Sequence, residues 1–145
     1  DITEEEIRQY FEINTILLFR VCRYFVRYNE SGKVFNFSSL YGHHVPNPKY
    51  YNGAHKSIGY CLSKSAVVML TKYLAVHYNT HEFIDIVLGG VENNQNENFV
   101  ENYICDVPKK RLLKSHEIGP VIEGLFNSNY ITGTSIFLDG GKNLY

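Results

Sequence analysis

The positions Ile7, Phe11, Asn14, Leu18, Val21, Phe25 and Tyr28 fall on one stripe at helical spacing, which predicts a helix over residues 3–29. Thr3 followed by Glu6 reads as a capping box at its start. Asn14 interrupts an otherwise apolar face. A buried amide without partners costs about 1–3 kcal/mol, so Asn14 is expected either to hold a specific partner or to sit at the edge of the stripe. "NESGK" (29–33) is a turn, and "VFNFSS" (34–39) is a β-type run ending in two serines. Residues 40–58, with two Gly, two Pro and two Asn, read as a long loop of the kind that is often functional. A second helix follows over 59–78, with Leu62, Ala66, Met69, Leu70 and Tyr73 as its apolar side. "FIDIVL" (83–88) is a strand stopped by Gly89-Gly90. Residues 91–114 are Asn-rich, with a weak helical patch at "NFVENYI", and read as a lid or a plain surface excursion. A helix over 115–126, weakened by Gly119-Pro120, and a strand over 135–139 complete the order. Helix and strand in strict alternation predict an α/β fold, with about three parallel strands and flanking helices.

Composition narrows the function more than the fold. A chain of 145 residues with 44% apolar and 20% charged residues fits one domain with a core. A net charge of −1 and a pI near 6.6 leave no electrostatic footprint for nucleic acid. A small molecule, or a second copy of the chain, is the expected partner. No apolar run approaches the roughly 18 residues of a membrane span, and "DITEEE" is unlike a signal peptide. Cys22, Cys61 and Cys105 form no CxxC motif and cannot all pair, which points to reduced thiols and a cytoplasmic setting. The N-x-S matches at Asn29 and Asn36 accordingly carry no weight as glycosylation sites. The chain opens directly into a helix, which leads us to expect a preceding segment.

Ligands of a parallel sheet gather beyond the carboxyl ends of its strands. Ser38 and Ser39 end the first strand, Gly89-Gly90 end the second, and Tyr60 and Lys64 share a face on the helix between them. With Asn14, these groups are expected to converge on one cleft. An ammonium near a phenol favours the phenolate, so Lys64 is expected to lower the Tyr60 pKa from its ordinary value near 10. Such a tyrosine exchanges a proton with a carbonyl or alcohol, and a serine hydroxyl orients the substrate oxygen. None of these groups carries electrons, so the redox step would belong to a hydride carrier.

Ser-Ser-x-x-Gly after a strand, "YCLSKSAVVMLTKYLA" (60–75), a glycine turn after the next strand and "ITGTSIFLDGG" (131–141) together resemble the short-chain dehydrogenase/reductase family. The resemblance covers nearly the whole chain but only the C-terminal half of the family domain. It implies a Rossmann-like doubly wound sheet, cut to a single partial dinucleotide-binding domain over 1–145. By position it makes Tyr60 the acid/base, and Lys64 the group that tunes Tyr60 and holds the cofactor ribose. Ser39, three before Gly42, becomes the substrate-orienting serine in preference to Ser38, and Asn14 the residue that positions a water in the proton relay. Gly89 and Val91 would meet the nicotinamide of NAD or NADP.

Several features depart from the family pattern. Leu88 stands where the turn usually begins with Pro, the following Thr is absent, and Ser39 and Tyr60 are 21 apart because of an insertion. The Gly-rich phosphate loop is not in these residues. "SSLYGHHVPNPKYYNG" and "GGVENNQNENFVENY" further resemble the flagellin-modification oxidoreductases, a branch linked to sugar-nucleotide biosynthesis. Two other readings stand beside this one. One is an extended-type sugar-nucleotide epimerase or dehydratase; the other is a truncated, inactive relative that oligomerises. Family members pair as homodimers or homotetramers through the helices matching 3–29 and 59–78. The 145 residues alone are expected to show no saturable NAD(P)H binding. His43-His44 are expected near the cleft, His77 and His81 as a solvated helical pair, and Arg20, Arg23 and Arg27 as a solvated or subunit-facing edge.

Overall fold

In a computed structural model of the chain, which describes residues 2–144, Thr3 accepts the Glu6 N–H at 3.2 Å and starts the first helix. That helix has three parts: α1 (Glu4–Phe11), a π-helical stretch (Glu12–Leu17) and α2 (Leu18–Tyr28). A π-bulge adds a residue to the turn and shifts the phase of everything after it. The expected stripe therefore holds through Leu18 and then slips by one. Cys22 is buried, whereas Val21 and Tyr28 face outward.

The sheet has three parallel strands in the order β1 (Gly32–Phe37), β2 (His81–Leu88), β3 (Thr134–Leu138). This is the expected α/β architecture. Each strand begins earlier than its sequence pattern, so Ser38 and Ser39 lie just past β1 and not within it. β2 is central, and its run from Phe83 to Val87 is fully buried, as a strand covered on both faces requires. α3 (Ile58–His77) crosses from β1 to β2, and packs with α2 on the face that holds Phe83, Cys22 and Leu74. α4 (Glu97–Cys105) and α5 (Ile118–Phe126) connect β2 to β3. Near the C-terminus of α5, Lys33 of β1 bonds the Leu125 and Ser128 carbonyls.

Three sequence expectations are corrected. On α3, most of the predicted apolar side faces outward: Leu62, Met69 and Tyr73 are exposed, Leu70 packs at the core's edge, and Gly59, Ser63, Val67, Thr71 and Leu74 face inward. The helix is apolar nearly all round, so hydrophobicity alone did not reveal which side faces inward. His81 is the first residue of β2, buried with Nε2 3.1 Å from the Asn29 carbonyl, and so does not pair with His77 on a helix. The long loop holds two 3₁₀ turns, Leu40–Gly42 and Pro48–Tyr51. The second turn packs on α4, and Tyr50, Tyr103, Val107 and Leu112 form a second small core there.

One polar row crosses the sheet. Asn36, Asp85 and Ser135 are lateral partners on the three strands. Ser135 Oγ donates to Asp85 Oδ2 at 2.8 Å, and Asn36 Nδ2 donates to Thr71 Oγ1 at 2.9 Å. Asp85 Oδ1 is buried and has no partner among the described residues.

Candidate active site

Beyond the carboxyl ends of β1 and β2 lies a cavity of about 710 Å³, lined by Ser39, Tyr60, Gly89, Gly90 and Val91 among others. Its two sides are placed by different local rules. Ser39 caps the 3₁₀ turn by accepting the Tyr41 N–H at 3.2 Å, which points its hydroxyl along the strand end. Gly42 explains the three-residue spacing: a Cβ there would sit 2.9 Å from the Lys64 backbone, and Ser65 Oγ bonds the Gly42 carbonyl at 2.7 Å. The turn therefore locks onto α3 at Lys64, and sets Ser39 beside the first turn of that helix. Ser38 is buried, its hydroxyl has no partner among the described residues, and it does not line the cavity.

Tyr60 sits in the first turn of α3, capped by Ser57, with its ring edge-on to Tyr10 at 5.8 Å. Burial raises the pKa of its phenol, and the Ser39 hydroxyl opposes that rise. The expectation that Lys64 lowers it is not met. Lys64 Nζ lies 5.9 Å from the Tyr60 ring centre and donates to the Phe37 carbonyl at 2.8 Å. Burial lowers the Lys64 pKa, partly offset by the Asp85 carboxylate. Lys56 lies closer to the ring, at 4.6 Å, and also lines the cavity.

Asn14 lies in the π-helical stretch and stands behind the cavity. Its Nδ2 donates to Ser63 Oγ at 3.0 Å, and Ser63 Oγ in turn donates to the Tyr60 carbonyl at 2.9 Å. The amide on the apolar stripe thus has the specific partner its burial demands. That partner ties the first helix to the Tyr60 turn.

The turn after β2 owes its glycines to close packing. A Cβ on Gly89 would meet the Asp139 Cα at 2.9 Å, and one on Gly90 would meet the Tyr103 ring at 2.7 Å. The Gly90 N–H donates to Tyr103 Oη at 2.8 Å. Val91 forms a parallel bridge with Leu113, whose bonds use the Gly90 carbonyl and the Glu92 N–H. The Val91 peptide is thereby turned away from Leu113, and its carbonyl accepts from Gln95 Nε2.

Sequence reading missed the aromatic wall. Tyr51 Oη donates to Tyr41 Oη at 2.9 Å, Tyr51 packs on Phe99 at 5.4 Å, and Phe99 stacks on Tyr103 at 5.4 Å. The segment read as a lid or a plain surface excursion thus carries a helix, α4, that packs against the inserted loop. The paired aromatics of "KYYNG" and "NFVENYI" were the available signal. His43 does not reach the cavity: it packs on Phe137 at 4.9 Å, with Nε2 3.8 Å from Asp85. His44 lines other cavities. Cys22, Cys61 and Cys105 are free thiols. Among the described residues, no cluster suited to a metal ion occurs, and no helix is long and apolar enough to cross a membrane.

Sequence and structure comparisons place this assembly among known proteins. A family model described as enoyl-(acyl carrier protein) reductase matches residues 1–143. The glucose 1-dehydrogenase of Gluconobacter oxydans is 28% identical over 100% of this chain and 57% of its own length. Glucose 1-dehydrogenase 2 of Bacillus subtilis is 27% identical over 81% of this chain and 46% of its own length. A short-chain dehydrogenase from Leptospira borgpetersenii, solved with bound NAD+, superposes with a TM-score of 0.89 at 27% identity, covering 99% of this chain and 58% of that one. The chain belongs to the short-chain dehydrogenase/reductase family. It spans about half the length of the curated relatives it matches.

Proposed function

We propose that these residues form the catalytic half of an NAD(P)-dependent oxidoreductase, a single partial dinucleotide-binding domain that acts between a carbonyl and an alcohol on a small molecule. The observation that carries this reading is the shared cavity, where Ser39 and Tyr60 face the Gly89–Val91 turn. The residues also fit the cofactor. The glycine turn brings bare backbone to the cavity edge, and the Leptospira relative is described with NAD+ bound. A bound nicotinamide dinucleotide supplies the hydride. Tyr60 Oη exchanges the proton with the substrate oxygen, and Ser39 Oγ holds that oxygen in place by a hydrogen bond. Lys64, with two ammonium protons beyond the one given to Phe37, holds the ribose. Asn14 keeps the Tyr60 turn in register through Ser63 and positions the relay water. Gly89 and Val91 meet the nicotinamide.

Two observations support a sugar as substrate: two of the curated relatives are named glucose 1-dehydrogenases, and the cavity sets Tyr41, Tyr51 and Phe99 beside Asn93, Gln95 and Asn96. The resemblance to flagellin-modification enzymes narrows this to a sugar nucleotide. The outer faces of α1–α2 and α3 would join copies into a homodimer or homotetramer. The free thiols fit a reducing, cytoplasmic setting.

The test is Tyr60→Phe in the whole protein that carries these residues. Turnover should fall by about 10²–10⁴-fold, with cofactor affinity nearly unchanged by fluorescence titration. Turnover at the wild-type rate would remove Tyr60 from the reaction.

A further inference from the structure

A second cavity, of about 670 Å³, shares only Leu40 and Tyr41 with the first. Neither Tyr60 nor the Gly89–Val91 turn lines it. Two features build it: the insertion between Ser39 and Tyr60, and the terminal "DGGK". Asp139 accepts the Gly141 and Asn143 N–H groups at 2.9 and 2.7 Å, and positive φ at Gly140 and Gly141 completes a tight turn. That turn carries Lys142 inward until it is only 9% exposed. Lys142 Nζ then lies over the Tyr50 and Tyr103 rings at 4.7 and 4.8 Å and donates to Tyr50 Oη at 2.7 Å.

Among the described residues, two ammonium groups, Lys110 and Lys142, and one carboxylate, Asp106, line the cavity. The Asp106 Oδ2 already takes the Tyr50 hydroxyl and, at 2.8 Å, the Lys49 ammonium. Lys142 is 4.0 Å from that oxygen, beyond hydrogen-bond length. An ammonium has three protons to donate, and a buried charge is costly unless paired and hydrogen-bonded. Lys142 has one such bond. Lys110, exposed at the rim, uses one proton on the Cys105 carbonyl at 2.7 Å. Lys49 and Lys142 thus share the Asp106 carboxylate, Asp139 also acts on Lys142 through space, and Lys110, His44 and Asn47 complete the polar lining.

We propose that this cavity binds an oxyanion, the phosphoryl or carboxylate group of a small metabolite, with Lys142 at its floor and Lys110 at its rim. The bound group would accept the free ammonium protons and return the partner that burial denies Lys142. Burial at present lowers the Lys142 pKa, and an oxyanion beside it would raise it again. The site is independent of the Tyr60 chemistry and stands or falls separately from it.

Titration calorimetry of the whole protein with inorganic phosphate, and separately with citrate, tests the site. One or both should bind saturably. Affinity should weaken by about ten-fold or more in Lys142→Met and several-fold in Lys110→Gln, as loss of a charge-assisted hydrogen bond implies, with Lys72→Gln as an unaffected control. Saturation by phosphate alone identifies a phosphoryl site, and saturation by citrate alone a carboxylate site. If Lys142→Met fails to fold by circular dichroism, Lys110→Gln decides. No saturable binding of either anion, or equal affinity in the folded variants, overturns the proposal.

Discussion

Burial raises the Tyr60 pKa, and the Ser39 hydroxyl offsets that rise only in part. Lys64 gives one proton to the Phe37 carbonyl and sits 5.9 Å from the Tyr60 ring centre, where it does not lower the phenol's pKa. Residue identity was readable here, and residue state was not. Ser39, Tyr60, Gly89 and Val91 come together as their spacing implied, since strand ends and a helix start fix them. The pKa of Tyr60 depends on burial from Tyr10 and its surroundings, and no local spacing encodes that. Gly90 offers a clean test at this scale. Gly90→Ala drives a Cβ into the Tyr103 ring, which cannot retreat without losing the bond to the Gly90 N–H. Overpacking of this kind costs about 1–3 kcal/mol, so the denaturation midpoint should drop accordingly. An unchanged midpoint would mean that the ring yields freely.

At the scale of elements, position along the chain was easier to read than orientation. Every helix and strand lies where the hydrophobic pattern put it, to within two residues at most boundaries. The faces of two helices did not follow. A single extra residue in the π-helical stretch moved burial from Val21 to Cys22, and periodicity counting cannot see an insertion that the backbone absorbs. α3 carries apolar residues on both sides, so its inner face, Ser63 and Thr71 included, looked polar by comparison. The inserted loop, read as irregular, and α4, read as a weak helical patch, dock on each other through aromatic pairs. Such pairs contribute about 0.5–1.5 kcal/mol beyond area burial. In the whole protein, Phe99→Ala should therefore raise KM by roughly two- to ten-fold while kcat holds. A loss confined to kcat would place Phe99 in the chemistry and not in binding.

For the molecule as a whole, large apolar residues face outward on the first helix and on α3. Met69 and Tyr73 on α3 are 65% and 56% exposed, and Ile13, Leu17, Val21 and Tyr24 lie open on the first helix. Placing charges at the interface proposed for these faces would cost several kcal/mol when they are left unpaired. Met69→Asp with Tyr73→Asp should therefore reduce the assembled mass by light scattering, with the fold retained. A mass equal to that of the wild type would remove α3 from the interface. The row of Asn36, Asp85 and Ser135 bears on a different matter, the alignment of strands during folding. Parallel pairings form late and over long chain separations, and several alignments of Val, Ile and Phe would bury similar apolar area. A slip of one residue would separate Ser135 from Asp85 and strand the carboxylate in the interior, a penalty of about 1–3 kcal/mol or more. The row thus works as an index mark, admitting one alignment of the sheet and rejecting its neighbours.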